Sequence, residues 1–200
     1  MRVCALFLAL ATVRLAGAQE VEIIPDVVYG HKDGLAMTFD VLKPANANGA
    51  GIMYMVSGGW VSRWSPPEQM VGRFRPLLDR GFTMFIVRHG SSPKYFVPDA
   101  VEDVRRAARF IQYNAERWGV DPKRLGVHGG SAGGHLSLML GLGSDTADPD
   151  AEEPFMREPL ELASIVAYYP PVDLTRWARG RIPDPPPDQA FPALNFDPAL

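Results

Sequence analysis

Apolar and polar positions change their period several times along the chain, and the changes delimit its elements. "DVVYG" (26–30) and "LAMTFDVLKP" (35–44) read as two strands joined by the turn-forming "HKDG". "AGIMYMVSGGW" starts as a buried strand from Gly51 to Val56. In "PPEQMVGRFRPLLDRG", Met70, Phe74 and Leu77 or Leu78 fall at helical spacing, with Gly81 where a helix stop belongs. "FTMFIVR" (82–88) is a continuous apolar run, the mark of a strand covered on both faces. The clearest helix is 99–119: Val101, Val104, Ala108, Ile111 and Ala115 share a face, Asp99 can cap its start and Gly119 can end it. "RLGVHG" reads as a further strand, Ser131 to Leu142 as a helix and "ASIVAYYP" (163–170) as a sixth strand. Strands alternating with helices predict an α/β fold with a mainly parallel sheet and helices on both faces. No internal repeat interrupts this order, and residues 171–200 are dense in proline without sustained periodicity.

Composition adds little to the fold but excludes some functions. The chain of 200 residues is 46% hydrophobic and 22% charged with net charge −3, the profile of an ordinary globular chain. No basic stripe offers a footprint for nucleic acid, which is not expected as a partner. The first residues, "MRVCALFLALATVRLAGAQE", pair a basic start with an apolar run from Val3 to Val13 and the small-x-small site Ala16-Gly17-Ala18. That pattern reads as a secretory signal peptide over 1–18, too short for a span of ~20 apolar residues. The expectation is a secreted or periplasmic domain over 19–200, without a stable membrane span after cleavage. The only cysteine, Cys4, would leave with the leader, so neither a disulfide nor thiol chemistry is expected.

The chemistry concentrates in "RLGVHGGSAGGHLSLML" (124–140), where Gly129 to Gly134 are all glycine, serine or alanine. A phosphate loop would need lysine and a hydroxyl residue after the second glycine, but His135-Leu136 stands there. The dinucleotide fingerprint G-x-G-x-x-G has no register in the cluster. G-x-S-x-G is met by Gly129-Gly130-Ser131-Ala132-Gly133, with a strand before and a helix after. In such a nucleophile elbow a sharp strained turn displays the serine hydroxyl, and small neighbours let backbone pass close. The helix start adds amides aimed at developing negative charge. The plainer alternative is a serine in a glycine-rich helix-capping turn.

Ser57-Gly58-Gly59-Trp60 directly follows an earlier strand, where acyl-transfer enzymes of this architecture keep the other half of the oxyanion hole. A glycine turn followed by a packed tryptophan would read the same way. With "SGGW" (57–60), "DPKRLGVHGGSAGGHLSLML" (121–140), "WGVDP" (118–122) and "YYPPVDL" (168–174) together, the chain resembles the α/β-hydrolase superfamily, in its hormone-sensitive-lipase-like and feruloyl-esterase-like esterase/lipase branch. The resemblance runs from about Asp26 to the end. It implies that Ser131 is the nucleophile and that the amides of Ala132, Gly58 and Gly59 hold the oxyanion, with no metal and no cofactor. One departure stands out: the family usually has His-Gly-Gly-Gly-Trp, and this chain has Val56-Ser57-Gly58-Gly59-Trp60. The histidine that usually braces the loop is missing.

A serine hydroxyl needs a histidine to take its proton and a carboxylate to orient that histidine. In this fold both follow the serine in sequence. Only His135 does, one helical turn on, where packing or helix surface is the expected role; His31, His89 and His128 all precede Ser131. His89 ends a strand near the catalytic edge, but serving as the base would break the chain order. Asp173 reads as a turn residue rather than the triad acid, and Asp99, Asp103 and Asp121 as caps and loop anchors. No group of His, Cys or carboxylates has metal-ligand spacing. Six strands are visible where the resemblance implies eight, so the expectation is an N-terminal part of a longer enzyme, with "NFDPAL" (195–200) approaching a seventh strand. The functional expectation is an exported serine hydrolase acting on a small-molecule acyl ester, small or carbohydrate-linked. The alternatives are a non-catalytic or truncated hydrolase-like protein, and a peptidase of the same fold, against which the lack of an upstream propeller-like repeat argues.

Overall fold

A computed structural model describes residues 20–143 and 147–174. The leader-like segment 1–18 and residues 175–200, which include "NFDPAL", lie outside the described residues. Six strands form one sheet: β1 (Val21–Lys32), β2 (Leu35–Pro44), β3 (Gly51–Met55), β4 (Thr83–Val87), β5 (Leu125–Gly130) and β6 (Ser164–Tyr168). Their order is β1-β2-β4-β3-β5-β6. The β1–β2 and β2–β4 pairs are antiparallel, and β4, β3, β5 and β6 run parallel. Three helices accompany them: α1 (Pro67–Leu78), α2 (Val97–Tyr113) and α3 (Ala132–Leu142). This is the expected α/β-hydrolase arrangement, with a mainly parallel sheet and helices on both faces.

Alternation along the strands sorts side chains between two cores. Phe39, Val41, Met53, Met55, Phe85, Val87 and Val127 share one core with Ala100, Val104, Ala108 and Ile111 of α2 and Leu136 of α3. Leu42, Met84 and Ile86 take the other face, with Phe74 and Leu78 of α1. All five residues of β4 are buried, as their uninterrupted apolar run predicts.

Two element boundaries differ from the sequence reading, each for a local reason. β1 begins at Val21, not Asp26, because the strand continues through a bulge at which Asp26 takes φ 49°. The Asp26 amide there donates to the Asp40 carboxylate at 2.9 Å. α2 opens at Val97, and the Asp99 carboxylate accepts from the Phe96 amide at 2.9 Å, so Asp99 caps from the third helical position instead of the first. The helix stops at Tyr113; Asn114 bonds the Phe110 carbonyl through its side chain, and a 3₁₀ turn (Ala115–Trp118) carries the chain to Gly119.

Arg88, the first residue past β4, locks this edge of the sheet. Its guanidinium donates to both oxygens of the fully buried Asp40 (2.6 and 2.9 Å), to Asp26 (2.9 Å) and to the Thr38 hydroxyl. The bidentate geometry suits arginine and carboxylate planes. It fixes where the chain leaves β4, one residue before His89.

Candidate active site

In a parallel sheet the loops after the strands collect at one edge. Here those of β3 (from Val56), β4 (from Arg88), β5 (Ser131) and β6 (from Tyr169) meet there. β5 ends at Gly130, and the chain turns at Ser131 with φ 52° and ψ −123°, a region an L side chain rarely occupies. The Ser131 amide donates to the Tyr168 carbonyl (2.9 Å), and the Ser131 carbonyl accepts the His135 amide (3.0 Å), opening α3. The half-buried Ser131 is therefore held by its backbone, while its Oγ makes no hydrogen bond with the described residues.

The glycines around it are explained by close approach. A Cβ on Gly129 would lie 2.3 Å from the Gly133 carbonyl oxygen, and one on Gly133 would lie 2.6 Å from that of Met55. No larger residue fits either position without moving backbone. The G-x-S-x-G spacing thus lets β5, the first turn of α3 and the end of β3 converge on Ser131. The Ala132 amide, first in α3, belongs to the helix-start amides that lack an intrahelical partner.

Gly58 and Gly59 both lie at this edge, but they are not equivalent. Gly58 and Val61 exchange two backbone bonds (3.0 and 3.1 Å), closing a two-residue turn in which Gly59 (φ 57°) and Trp60 (φ 58°) both have positive φ. Positive φ at both central positions is the signature of a type I′ turn. The Gly58 amide is consequently committed to Val61, and the Gly59 amide at the tip has no partner among the described residues. Trp60 is buried, and its Nε1 donates to His135 Nδ1 over a long 3.4 Å, so this loop rests directly on the elbow helix.

Three of the four histidines have an assignable place, and among the described residues no histidine ring is hydrogen-bonded to Ser131. His135 packs edge-on beneath Trp60, as expected for a packing residue. His128 sits among Tyr54, Phe74 and Tyr168. His89 is buried; its Nδ1 faces the Gly90 carbonyl at 2.7 Å and its Nε2 the Ser57 hydroxyl at 2.9 Å. Because a carbonyl can only accept, Nδ1 carries the proton and Nε2 accepts from Ser57. Burial holds all three rings below the ordinary histidine pKa. Both nitrogens of His89 are thereby occupied, which leaves it no free nitrogen to serve Ser131. Asp173 is exposed after β6, and the Asp121 carboxylate accepts the Lys123 amide as a loop anchor. Among the described residues no group of three or more His, Cys, Asp or Glu could hold a metal ion, and no helix is long and apolar enough to cross a membrane.

Sequence reasoning missed the serines. Ser62 and Ser91 carry no motif and Ser57 enters only as the first residue of "SGGW", yet all three tie the loop after β3 to the loop after β4. A serine at the place of a family glycine, with a histidine ending the adjacent strand, was the available signal.

Known proteins are similar to much of this chain in sequence or in fold. Probable carboxylic ester hydrolase LipM of Mycobacterium tuberculosis is 27% identical over 158 residues, covering 76% of this chain and 35% of its own length. Mouse arylacetamide deacetylase is 35% identical over 104 residues, 45% of this chain and 23% of that protein. The chain thus spans about a third or less of these curated relatives. Among solved structures, esterase 2 of Thermogutta terrifontis, phosphorylated by paraoxon, superposes with a TM-score of 0.60 at 26% identity, over 80% of this chain and 60% of that one. The profile of the BD-FAE family matches residues 39–191, a range that contains the strand-turn-helix around Ser131 and the Gly58–Gly59 turn. The chain belongs to the BD-FAE family of α/β-hydrolases.

Proposed function

We propose that the protein is a carboxylic ester hydrolase that works through an acyl-enzyme on Ser131. The observation that carries this reading is the strained backbone of Ser131, which presents an unbonded Oγ at the sheet edge where the Ala132 and Gly59 amides are also open. Strain at a single residue, enforced by glycines on both sides, is a cost that folds retain at reacting positions. In the reaction Oγ adds to the ester carbonyl, and the carbonyl oxygen becomes an oxyanion that accepts from the two amides. Collapse expels the alcohol and leaves the acyl group on Ser131, and water then releases the acid. The positive end of α3 favours the negative charge formed in both halves.

Proton transfer requires a histidine at Ser131, and no histidine ring of the described residues is hydrogen-bonded to it. We therefore place the triad acid and base in chain beyond these 200 residues, and the leader-like start supports export of the whole. The names of the relatives support a small-molecule acyl ester as the substrate class, and within it the proposed substrate is small or carbohydrate-linked. An extended chain is expected to hydrolyse p-nitrophenyl acetate, and Ser131→Ala to abolish turnover; activity retained in that variant refutes the assignment. The absent base also favours a second reading, in which the 200-residue chain alone does not turn over. Robust labelling of that chain by a fluorophosphonate would count against it.

A further inference from the structure

The oxyanion turn lacks the histidine that usually braces it, yet it is pinned on both arms. We propose that Ser57 and His89 act as positioning residues, a strut from the loop after β4 that holds the Gly59 amide in register with Ser131. This rests on the esterase reading above. After β3 the backbone leaves the sheet at Val56, whose amide takes the Val87 carbonyl at 2.9 Å. From there to Gly59, the Ser57 hydroxyl is the side-chain group that reaches out of the loop, to His89 Nε2 at 2.9 Å. The imidazole cannot swing, because its Nδ1 is tied to the Gly90 carbonyl and the ring is 5% exposed.

Gly90 is anchored in turn: its amide donates to the Asp103 carboxylate of α2 at 2.8 Å, and Asp103 also takes Lys32 Nζ at 2.8 Å. The strut therefore ends on a helix and an ion pair, not on a free loop. The other arm of the turn is tied separately. The Ser62 amide donates to Ser91 Oγ (2.9 Å), Ser91 Oγ donates to the Ser62 carbonyl (3.0 Å), and the Ser92 amide donates to the Trp60 carbonyl (3.2 Å). With Gly58 and Val61 joined across the neck, the turn behaves as a hairpin tip held at both feet. Its catalytic value is that the Gly59 amide costs no reorganisation when charge develops. Without the Ser57 hydroxyl one foot is free, and a displacement of about 1 Å can cost as much as ~100-fold in rate.

The test compares Ser57→Ala, His89→Leu and His89→Gln, whose side-chain amide reaches about where Nε2 stands. In the 200-residue chain, hydrogen exchange at the bonded amides of Val61 and Ser62 is expected to quicken severalfold in Ser57→Ala and His89→Leu, and to return toward the parent rate in His89→Gln. In the extended active enzyme, kcat per titrated Ser131 is expected to fall about tenfold in Ser57→Ala with KM changed less than twofold. Unchanged exchange and unchanged kcat per titrated site in Ser57→Ala would overturn the proposal, as would a His89→Gln variant no better than His89→Leu. A purely structural role would lower the titratable fraction and leave kcat per site alone. Failure of the esterase reading has its own signature, activity that survives Ser131→Ala. Ser57 is half-buried and loses one hydroxyl, so that variant keeps the test open should His89→Leu not fold.

Discussion

Replacing Ser131 by glycine is expected to abolish chemistry and stabilise the fold. At φ 52° and ψ −123° the serine Cβ is strained, and a residue in such a region costs about 1–3 kcal/mol. Glycine relieves that strain but loses more backbone entropy on folding, about 0.5–1 kcal/mol relative to alanine. The difference leaves a net gain of roughly 1 kcal/mol, with ~2.5 kcal/mol as the upper end. Ser131→Ala is the correct reference. It keeps the Cβ and removes only Oγ, which has no hydrogen bond to lose among the described residues. For a chain of this size the gain corresponds to about 2–4 °C in Tm. Urea unfolding followed by circular dichroism gives the same quantity as a shift in midpoint at constant m. Both variants should be inactive. If Ser131→Gly is less stable than Ser131→Ala, the elbow is unstrained and the argument from strain to nucleophile fails.

Three further substitutions or conditions test neighbouring parts. Gly129→Ala should cost several kcal/mol and, in the extended enzyme, remove probe labelling of Ser131, because its Cβ would lie 2.3 Å from the Gly133 carbonyl oxygen; a urea midpoint within error of the parent would contradict the close approach. Asp40→Ala should destabilise by about 3 kcal/mol, since it removes the buried partner of the Arg88 guanidinium and leaves it only Asp26 and the Thr38 hydroxyl, and calorimetry checks the loss. Acid should weaken the fold from about pH 7 downward, before most carboxylates titrate. His89, His128 and His135 stay neutral when folded but bind protons near pH 6.5 when unfolded, so stability present above that pH falls as pH drops toward their lowered folded values. Urea midpoints at pH 7.5 and 5.5 measure the slope, which His89→Gln should reduce.

The elements were legible where one signal dominated. The run at 82–88, apolar but for Thr83 and Arg88, reads as a doubly covered strand, and Gly129-x-Ser131-x-Gly133 between a strand and a helix reads as a tight turn where backbone passes close. What was not legible depends on partners distant in sequence. The extension of β1 to Val21 needs the Asp26 bulge to meet Asp40, and nothing near residue 26 announces that pairing. The inequivalence of Gly58 and Gly59 arises from the Gly58–Val61 closure, which depends on positive φ at Trp60, a conformation that a bulky residue adopts only under tertiary constraint.

That constraint links the two halves of the site. Trp60 is buried against His135, one helical turn beyond Ser131, and its backbone lies between the Gly59 amide and the Ser92 contact. The same residue therefore sets the conformation of the Gly58–Val61 turn and its distance from α3. His135 acts through packing and not through proton transfer: its ring, held neutral by burial, lets Nδ1 accept the indole N–H. The loops after β3 and β5 bring the open Gly59 and Ala132 amides to the same sheet edge as Ser131. Among the described residues no histidine ring is hydrogen-bonded to Ser131. The proposed oxyanion site and the proposed base can therefore be tested apart, the first by hydrogen exchange in the 200-residue chain and the second by turnover in an extended one.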